Sequence, residues 1–477
     1  MTDTQSTRFW RRKLGFSQTE GEEDCMGIDQ LEQGLSARSF ITNFAERKRY
    51  SRDITGRFSG VPQAVARPKN LEEVSQILGA CSRARVGVVP RGGNTGLVGG
   101  AIAVAEEIVV TLERMNGITG IDSASRTILV EGGVTLGAVR AHAQAKGLDF
   151  PIDFAARASA TIGGMIATDA GGALALRYGS MRDLVVALQV ALADGTVIDR
   201  LDRPHKDSSG FDLTRLICGS EGTLGIVTAA RLKLIPQASH RIAAILAVDS
   251  LEDAVIVADL LARESTSLEA ADFFLQSGLS IVTKHTNLPP LFREEHSAFL
   301  VTLHAGDMDP SEELADVLRS CDRVRDAVVA QSSQRIHTLW KYREMHNDAV
   351  NAMGIPHKFD IAVRVELVPL LVDAINAWLA AERPDAVAIY FGHLIDGNVH
   401  VNVLGAEVDD DVMEEAVFRL VVDMNGSIAA EHGIGQAKSK WLHLARPESE
   451  IEAMYAVKRS LDREGIMNPG KLFPNTR

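Results

Sequence analysis

Between residues 60 and 235 short apolar runs alternate with glycine turns, and the runs at 86–89, 108–112, 127–130 and 185–192 are rich in valine, isoleucine and leucine. Runs of that length and make-up read as strands. One helix interrupts them over 70–82. Asn70 stands as its N-cap, and Glu72 and Glu73 lie in its first turn, where carboxylates oppose the positive end of the helix dipole. From about Ser239 the pattern changes to amphipathic helices at 251–263, 311–324 and 369–382, alternating with strands such as 242–248 and 298–304. The fold class predicted is α+β in two parts. Pro236-Gln237-Ala238-Ser239 joins them, because proline ends the preceding apolar strand. The expected segments are an N-terminal extension over 1–49, a first domain over 50–236, a second over 237–425 and a C-terminal segment over 426–477.

The first glycine-rich loop, Pro90-Arg91-Gly92-Gly93-Asn94-Thr95-Gly96-Leu97, follows a strand, so backbone N–H groups are freed where the strand ends and can face phosphate oxygens. It matches neither nucleotide fingerprint. Gly433-Ile434-Gly435 has Lys438 where a dinucleotide motif needs its third glycine, and no Gly-Lys-Ser/Thr is present. Two further segments share the loop's chemistry, one from Pro151-Ile152-Asp153 through Ser159 to Gly172 and one over 219–228. Three such turns suit one long ligand threaded between them.

Composition narrows the classes. A net charge of -13 opposes a nucleic-acid partner, so an anionic substrate must be met by a few local cations. Cys25, Cys81, Cys218 and Cys321 lie far apart without a C-x-x-C pair, which fits a reducing cytoplasm. No apolar run reaches the roughly 20 residues that span a bilayer. The basic, aromatic stretch 8–13 is followed by an acidic block at 20–24. A solvated extension of a cytoplasmic protein is expected there, with peripheral contact at the inner membrane face as the alternative.

The second half carries metal-type chemistry. The stretch 393–403 reads as a hairpin in which Gly397-Asn398 forms the turn, His400 and Asn402 share one face, and Val399, Val401 and Val403 face the core. Asp396 reads as turn chemistry. Further on, Glu431-His432-Gly433 closes a helical run over 413–430 with Gly433 as C-cap. His393, His400 and Glu431 make a three-ligand set that leaves a position open, the pattern of a catalytic metal. Zn²⁺ suits it best, and Mn²⁺ and Fe²⁺ remain open. A lone histidine at a strand end is more often a satisfied polar residue, so only the constellation carries weight. Arg343 offers a planar fork and Lys358 a compact charge for a carboxylate, although in isolation surface ion pairs are the commoner use of both.

On these motifs the chain resembles the vanillyl-alcohol oxidase / p-cresol methylhydroxylase flavoprotein superfamily, in the branch of D-lactate, glycolate and D-2-hydroxyglutarate dehydrogenases, from about Tyr50 to Phe473. The resemblance implies a two-part FAD-binding domain followed by an α+β cap that carries the substrate site, with the C-terminal segment returning to the flavin. It implies FAD contacts from Pro90, Arg91, Gly92, Gly93, Asn94, Thr95, Gly96 and Leu97, then from Pro151, Asp153, Ser159, Ile162, Gly163, Gly164, Thr168, Asp169, Gly171, Gly172, Tyr178 and Gly179. Glu221, Gly222, Gly225 and Ile226 would lie near the adenosine and ribityl part, and Asn468 near the flavin. Covalent relatives use histidine or cysteine in the first loop, so Gly92-Gly93 implies noncovalent FAD. Two residues depart from the pattern, Ala158 where glycine is usual and Asp169 where asparagine is usual.

The branch also places its metal on the matches to His393, His400 and Glu431, its base on His432, and substrate contacts on Arg343, Lys358 and Asn402. Asn347, with His346 and Arg364 close by in sequence, would extend the anion site. The implied reaction oxidises a small D-2-hydroxy acid, D-lactate or D-2-hydroxyglutarate, to the 2-oxo acid, with metal assistance and hydride to flavin N5. Glycolate and D-malate are the alternative substrates. The acceptor implied is a quinone, an electron-transfer flavoprotein or a cytochrome, and a homodimer is compatible with the chain. A zinc hydrolase would leave three glycine turns without a use, and a noncatalytic flavin-binding protein would leave the metal set idle.

Overall fold

The computed structural model describes residues 39–204, 206–407 and 410–474; the stretches 8–13 and 20–24 and Cys25 lie outside them. Among the described residues three large sheets organise the chain, beside a two-stranded pair of Leu148–Asp149 and Ile235–Pro236. In the first, the order is Phe40–Ile41, Ala64–Ala66, Ile108–Thr111, Val88–Arg91, with the last three strands mutually parallel. Helix Leu71–Ala84 carries the chain from Ala64–Ala66 across to Val88–Arg91, and Ile108–Thr111 then inserts between these two strands. Asn70 caps that helix by accepting the Glu73 N–H at 2.9 Å, and Val74, Ile77, Leu78 and Cys81 form its buried stripe. The C-terminal segment completes this layer: Val88 N–H donates to the Ile466 carbonyl and Asn468 N–H to the Val88 carbonyl, both at 2.7 Å.

The second sheet is antiparallel, in the order Ile118–Asp122, Thr127–Glu131, Ile226–Lys233, Val185–Ala191, Val197–Asp199. Helices Leu136–Gln144 and Ile162–Thr168 share one buried cluster with it. The third sheet is a seven-stranded antiparallel layer, ordered Val324–Ala330, His240–Val248, Ala298–Gly306, Leu268–Leu275, Val387–His393, Asn398–Leu404, His357–Ala362. Alternation along its strands feeds two cores. Ile242, Ala244 and Leu246 pack with helices Leu251–Glu264 and Val368–Glu382, whereas Ala243, Ile245 and Ala247 pack with Gln276–Thr286 and Ser333–Glu344.

Two sequence expectations are corrected. The helix expected over 311–324 is Ser311–Arg319, and Val324 instead opens an edge strand whose β-branched residues pair with His240–Val248. The helical run expected over 413–430 is Asp411–Asp423. Asn425 takes φ +56°, and Gly426 N–H bonds back to the Val421 carbonyl at 2.8 Å, which stops the helix. Gly433 is therefore not a helix cap. Among the described residues no helix is long and apolar enough to cross a membrane.

Candidate active site

A cavity of about 1060 Å³ lies between the first two sheets and the seven-stranded sheet. Residues 90–97 all line it, as do Asp153, Ser159, Gly163, Gly164, Thr168, Gly171, Gly172, Glu221, Gly222, Gly225, Ile226 and Asn468. The glycines are there for approach. A Cβ on Gly93 would overlap the Ser159 carbonyl, and one on Gly92 would overlap Thr161 Oγ1. Thr161 Oγ1 and Asn468 Oδ1 are shut off from solvent with no hydrogen-bond partner among the described residues. A long cleft with close-packed backbone and orphaned polar atoms fits a dinucleotide-sized cofactor such as FAD.

Five residues expected at the cofactor do not line this cavity. Pro151 is buried and Ile162 is a core residue at the start of its helix. Asp169 ends that helix at φ +53°, a conformation aspartate tolerates much as asparagine does. Its carboxylate accepts Ser180 Oγ and the Arg182 N–H, both at 2.8 Å, and faces Arg182 Nε at 3.1 Å, so it is committed to local partners. Tyr178 donates its hydroxyl to Glu269 at 2.6 Å. Gly179, at φ +79°, lies against the Asp183 side chain. Ala158 is exposed and outside the left-handed region, so its Cβ is accommodated.

The seven-stranded sheet builds the metal-type cluster by register. Strands Val387–His393 and Asn398–Leu404 form the expected hairpin, but the turn is Leu394–Gly397 and not Gly397-Asn398: Asn398 already pairs with His393, and its N–H donates to Asp396 Oδ1 at 3.1 Å. Each histidine faces a carboxylate on the next strand out: His393 is paired with Asp272, and His400 with Asp360. His393 Nδ1 is 2.7 Å from Asp272, and His400 Nδ1 is 3.5 Å from Asp360. Their Nε2 atoms turn toward Glu431, at 3.5 and 3.7 Å, and the three donor atoms lie within 4.8 Å of one another. Two imidazoles with outer nitrogens held by carboxylates, and inner ones converging on a third carboxylate, fit a divalent cation.

Glu431 and His432 arrive on the loop after helix Asp411–Asp423. Asp360 Oδ2 accepts both their N–H groups, at 2.8 and 2.7 Å, and lies 3.2 Å from His432 Nδ1. Gly172 N–H donates to Glu431 Oε1 at 3.3 Å, so this cluster shares a wall with the glycine cradle. Burial favours the neutral acid at Glu431, but His393 and His400 outweigh it and hold its pKa low. At His393 burial opposes the cation, and the charges of Asp272 and Glu431 prevail, lifting its pKa well above the usual value. His400 is pushed down to about 3, chiefly by burial.

The expected substrate residues meet on the same wall. Arg343 lies buried over the Phe391 ring at 4.7 Å, with Nε 2.9 Å from Asp272 Oδ2 in a charge contact whose N–H is not aligned for a hydrogen bond. Lys358 and Asn402 are cross-strand partners, and Lys358 Nζ donates to Asn347 Oδ1 at 3.3 Å. Burial lowers the Lys358 pKa. His346 is fully buried and Arg364 pairs with Glu366; neither lines the cavity, so neither extends an anion site. Sequence reasoning missed Asp272, Asp360 and the buried Lys438, whose Nζ donates to the carbonyls of Ile428 at 2.7 Å and Asp360 at 3.3 Å. Asp272 and Asp360 are single carboxylates within apolar strands and Lys438 lies in a loop, so only the fold gives them partners.

Residues 62–200 match a family model described as an FAD binding domain, and residues 237–472 match the C-terminal domain of FAD linked oxidases. The chain belongs to the FAD-linked oxidase family. It is 37% identical to a D-2-hydroxyglutarate dehydrogenase of Xanthomonas citri pv. viticola, covering 94% of this chain and 96% of that protein. It is 33% identical to the one of Stutzerimonas stutzeri (94% and 98% covered) and 32% to the mitochondrial one of Arabidopsis thaliana (95% and 82%). Among solved structures, alkyldihydroxyacetonephosphate synthase superposes with a TM-score of 0.71 over 93% of this chain and 84% of that one. At 15% identity that likeness shows the fold alone.

Proposed function

We propose that the protein is an FAD-dependent dehydrogenase that oxidises a small D-2-hydroxy acid, D-2-hydroxyglutarate foremost, to the 2-oxo acid. The observation that carries this reading is the shared wall, where Glu431 touches Gly172 of the glycine cradle while Arg343 and Lys358 stand nearby. The relatives named above supply the substrate. FAD bound noncovalently along the cavity supplies the hydride acceptor, and Gly92-Gly93 offers no nucleophile for a covalent link. A divalent cation, zinc best suited, held by His393, His400 and Glu431 supplies Lewis acidity toward an α-hydroxyl.

The chain's own residues do the rest. Asp272 and Asp360 fix the two liganding imidazoles through their outer nitrogens. Asp360 also sits beside Nδ1 of His432, which leaves Nε2 as the basic atom for the hydroxyl proton. Arg343 and Lys358 bind carboxylate and Asn402 hydrogen-bonds the substrate, so several substituents of the carbinol carbon are fixed and one enantiomer is selected. A quinone, an electron-transfer flavoprotein or a cytochrome completes turnover. Anaerobic titration of the yellow protein with D-2-hydroxyglutarate, D-lactate, D-malate and glycolate tests the reading. D-2-hydroxyglutarate is expected to bleach the flavin fastest; failure of all four to bleach it would sink the proposal.

A further inference from the structure

Glu221 was expected to contact the cofactor, yet its carboxylate is turned elsewhere. It lies in the turn between helix Leu213–Ile217 and strand Ile226–Lys233. Its Oε1 accepts the Ile434 N–H at 2.8 Å and its Oε2 accepts the Gly435 N–H at 2.7 Å. We propose that Glu221 is a positioning residue, which clamps the loop carrying Glu431 and His432 onto the flavin-binding part and thereby sets where the base stands relative to the cofactor. This rests on His432 being the base.

Geometry on both sides of the contact supports the clamp. The loop is gripped from two sides, because Asp360 of the seven-stranded sheet accepts the Glu431 and His432 N–H groups while Glu221 accepts the next available pair. Two acceptor oxygens facing two donors is a demand that a carboxylate meets and an amide or hydroxyl does not. The residue between the pairs is Gly433, at φ +77°, and a Cβ there would stand 2.8 Å from Glu221 Oε1, so the loop lies flat on the carboxylate. Glu221 itself holds φ +52°, a conformation that a long side chain keeps only when its surroundings over-determine it. Its N–H donates to the Ala167 carbonyl and its carbonyl accepts Asn468 Nδ2, both at 2.7 Å. Burial raises the Glu221 pKa, and the Ile434 and Gly435 N–H groups, with the charge of Lys438, oppose that rise.

The test compares flavin-loaded wild type with Glu221→Gln, Gly433→Ala and the double variant. Bound FAD per chain and KM for D-2-hydroxyglutarate are expected to stay within about twofold, because Glu221→Gln keeps the backbone contacts of this cavity-lining residue to Ala167 and Asn468, and neither change touches Arg343 or Lys358. Turnover per bound flavin should fall about tenfold or more, and zinc affinity, read by competition with a chromophoric chelator, should fall alongside as Glu431 moves with the loop. Both changes act on one contact, so the double variant should be no worse than the poorer single one. Loss of FAD in Glu221→Gln with turnover per remaining flavin unchanged would overturn the proposal and return Glu221 to the cofactor. Should that variant not fold, Gly433→Ala keeps Glu221 in place, and unchanged turnover and zinc affinity there would overturn it equally. Hydrogen exchange of residues 428–438 needs neither substrate nor metal, so faster exchange in the variants upholds the clamp even if the function proposed above fails, and unchanged exchange rejects it.

Discussion

Asp360 faces His400, His432, the N–H groups of Glu431 and His432, and the Asn398 amide at once. Burial alone would favour its neutral acid, but His432, Lys438 and His400 hold it ionised. Asp360→Asn keeps the shape and removes the charge that fixes two imidazoles. Turnover should drop by about 10²-fold or more with FAD retained, measured as turnover per bound flavin. Near neutral pH, with Glu431 held low and His400 at about 3, His393 is the member of the proposed ligand set that still carries a proton. Zinc binding at the proposed site would have to expel that proton. Affinity should therefore rise by about one log unit per pH unit until the pH passes the raised His393 pKa, then level off. A pH-independent affinity would contradict this. The sign for stability is opposite: in the metal-free protein the His393 contribution is full below the unfolded value and is lost as pH rises through the folded one. The residues of the His393–His400–Glu431 cluster were legible in the sequence because histidines and a Glu-His pair stand out. Asp272 and Asp360 were not, since each is a single carboxylate in an apolar strand and only register gives it a partner.

At the scale of elements the hairpin 387–404 places both histidines, and Gly397 lets it turn. Its φ is +72°, and a Cβ would overlap the Val363 carbonyl. Gly397→Ala should destabilise the fold by at least about 1–3 kcal/mol. Thermal unfolding should show the loss and zinc content should fall, whereas FAD retained on the folded fraction would show that the cradle is built independently. The hairpin was readable because Gly397 and the alternating apolar residues after it are local signals, whereas its turn lies one residue earlier than Gly-Asn suggested, over Leu394–Gly397. The end of the helix before Glu431 was not: Val417, Phe418, Val421 and Ile428 keep an apolar rhythm across the break, and the stop at Asn425-Gly426 depends on the bridge between Ala362 and Ser427.

For the whole molecule the question is how the seven-stranded sheet is held over the glycine cradle. Arg177 Nη1 donates to the carbonyls of Ser267 and Ala305, at 3.1 and 3.0 Å, and the Tyr178 hydroxyl reaches Glu269, which is fully buried and also paired with Arg241. Tyr178→Phe should lower stability by about 1 kcal/mol without loss of FAD. Loss of FAD instead would restore Tyr178 to the cofactor wall. Such contacts join segments distant in sequence, which is why Tyr178 read as part of the glycine motif beside it.

Anaerobic mixing of D-2-hydroxyglutarate with flavin-loaded, zinc-loaded wild type and His432→Ala tests the proposed chemistry most directly. Wild type should lose its yellow colour with the D enantiomer and keep it with the L. His432→Ala should retain flavin and zinc, because its ligand set is intact, and bleach slower by about 10²-fold or more. Bleaching of the variant at the wild-type rate, or preference for the L acid, would contradict the site proposed for this chain.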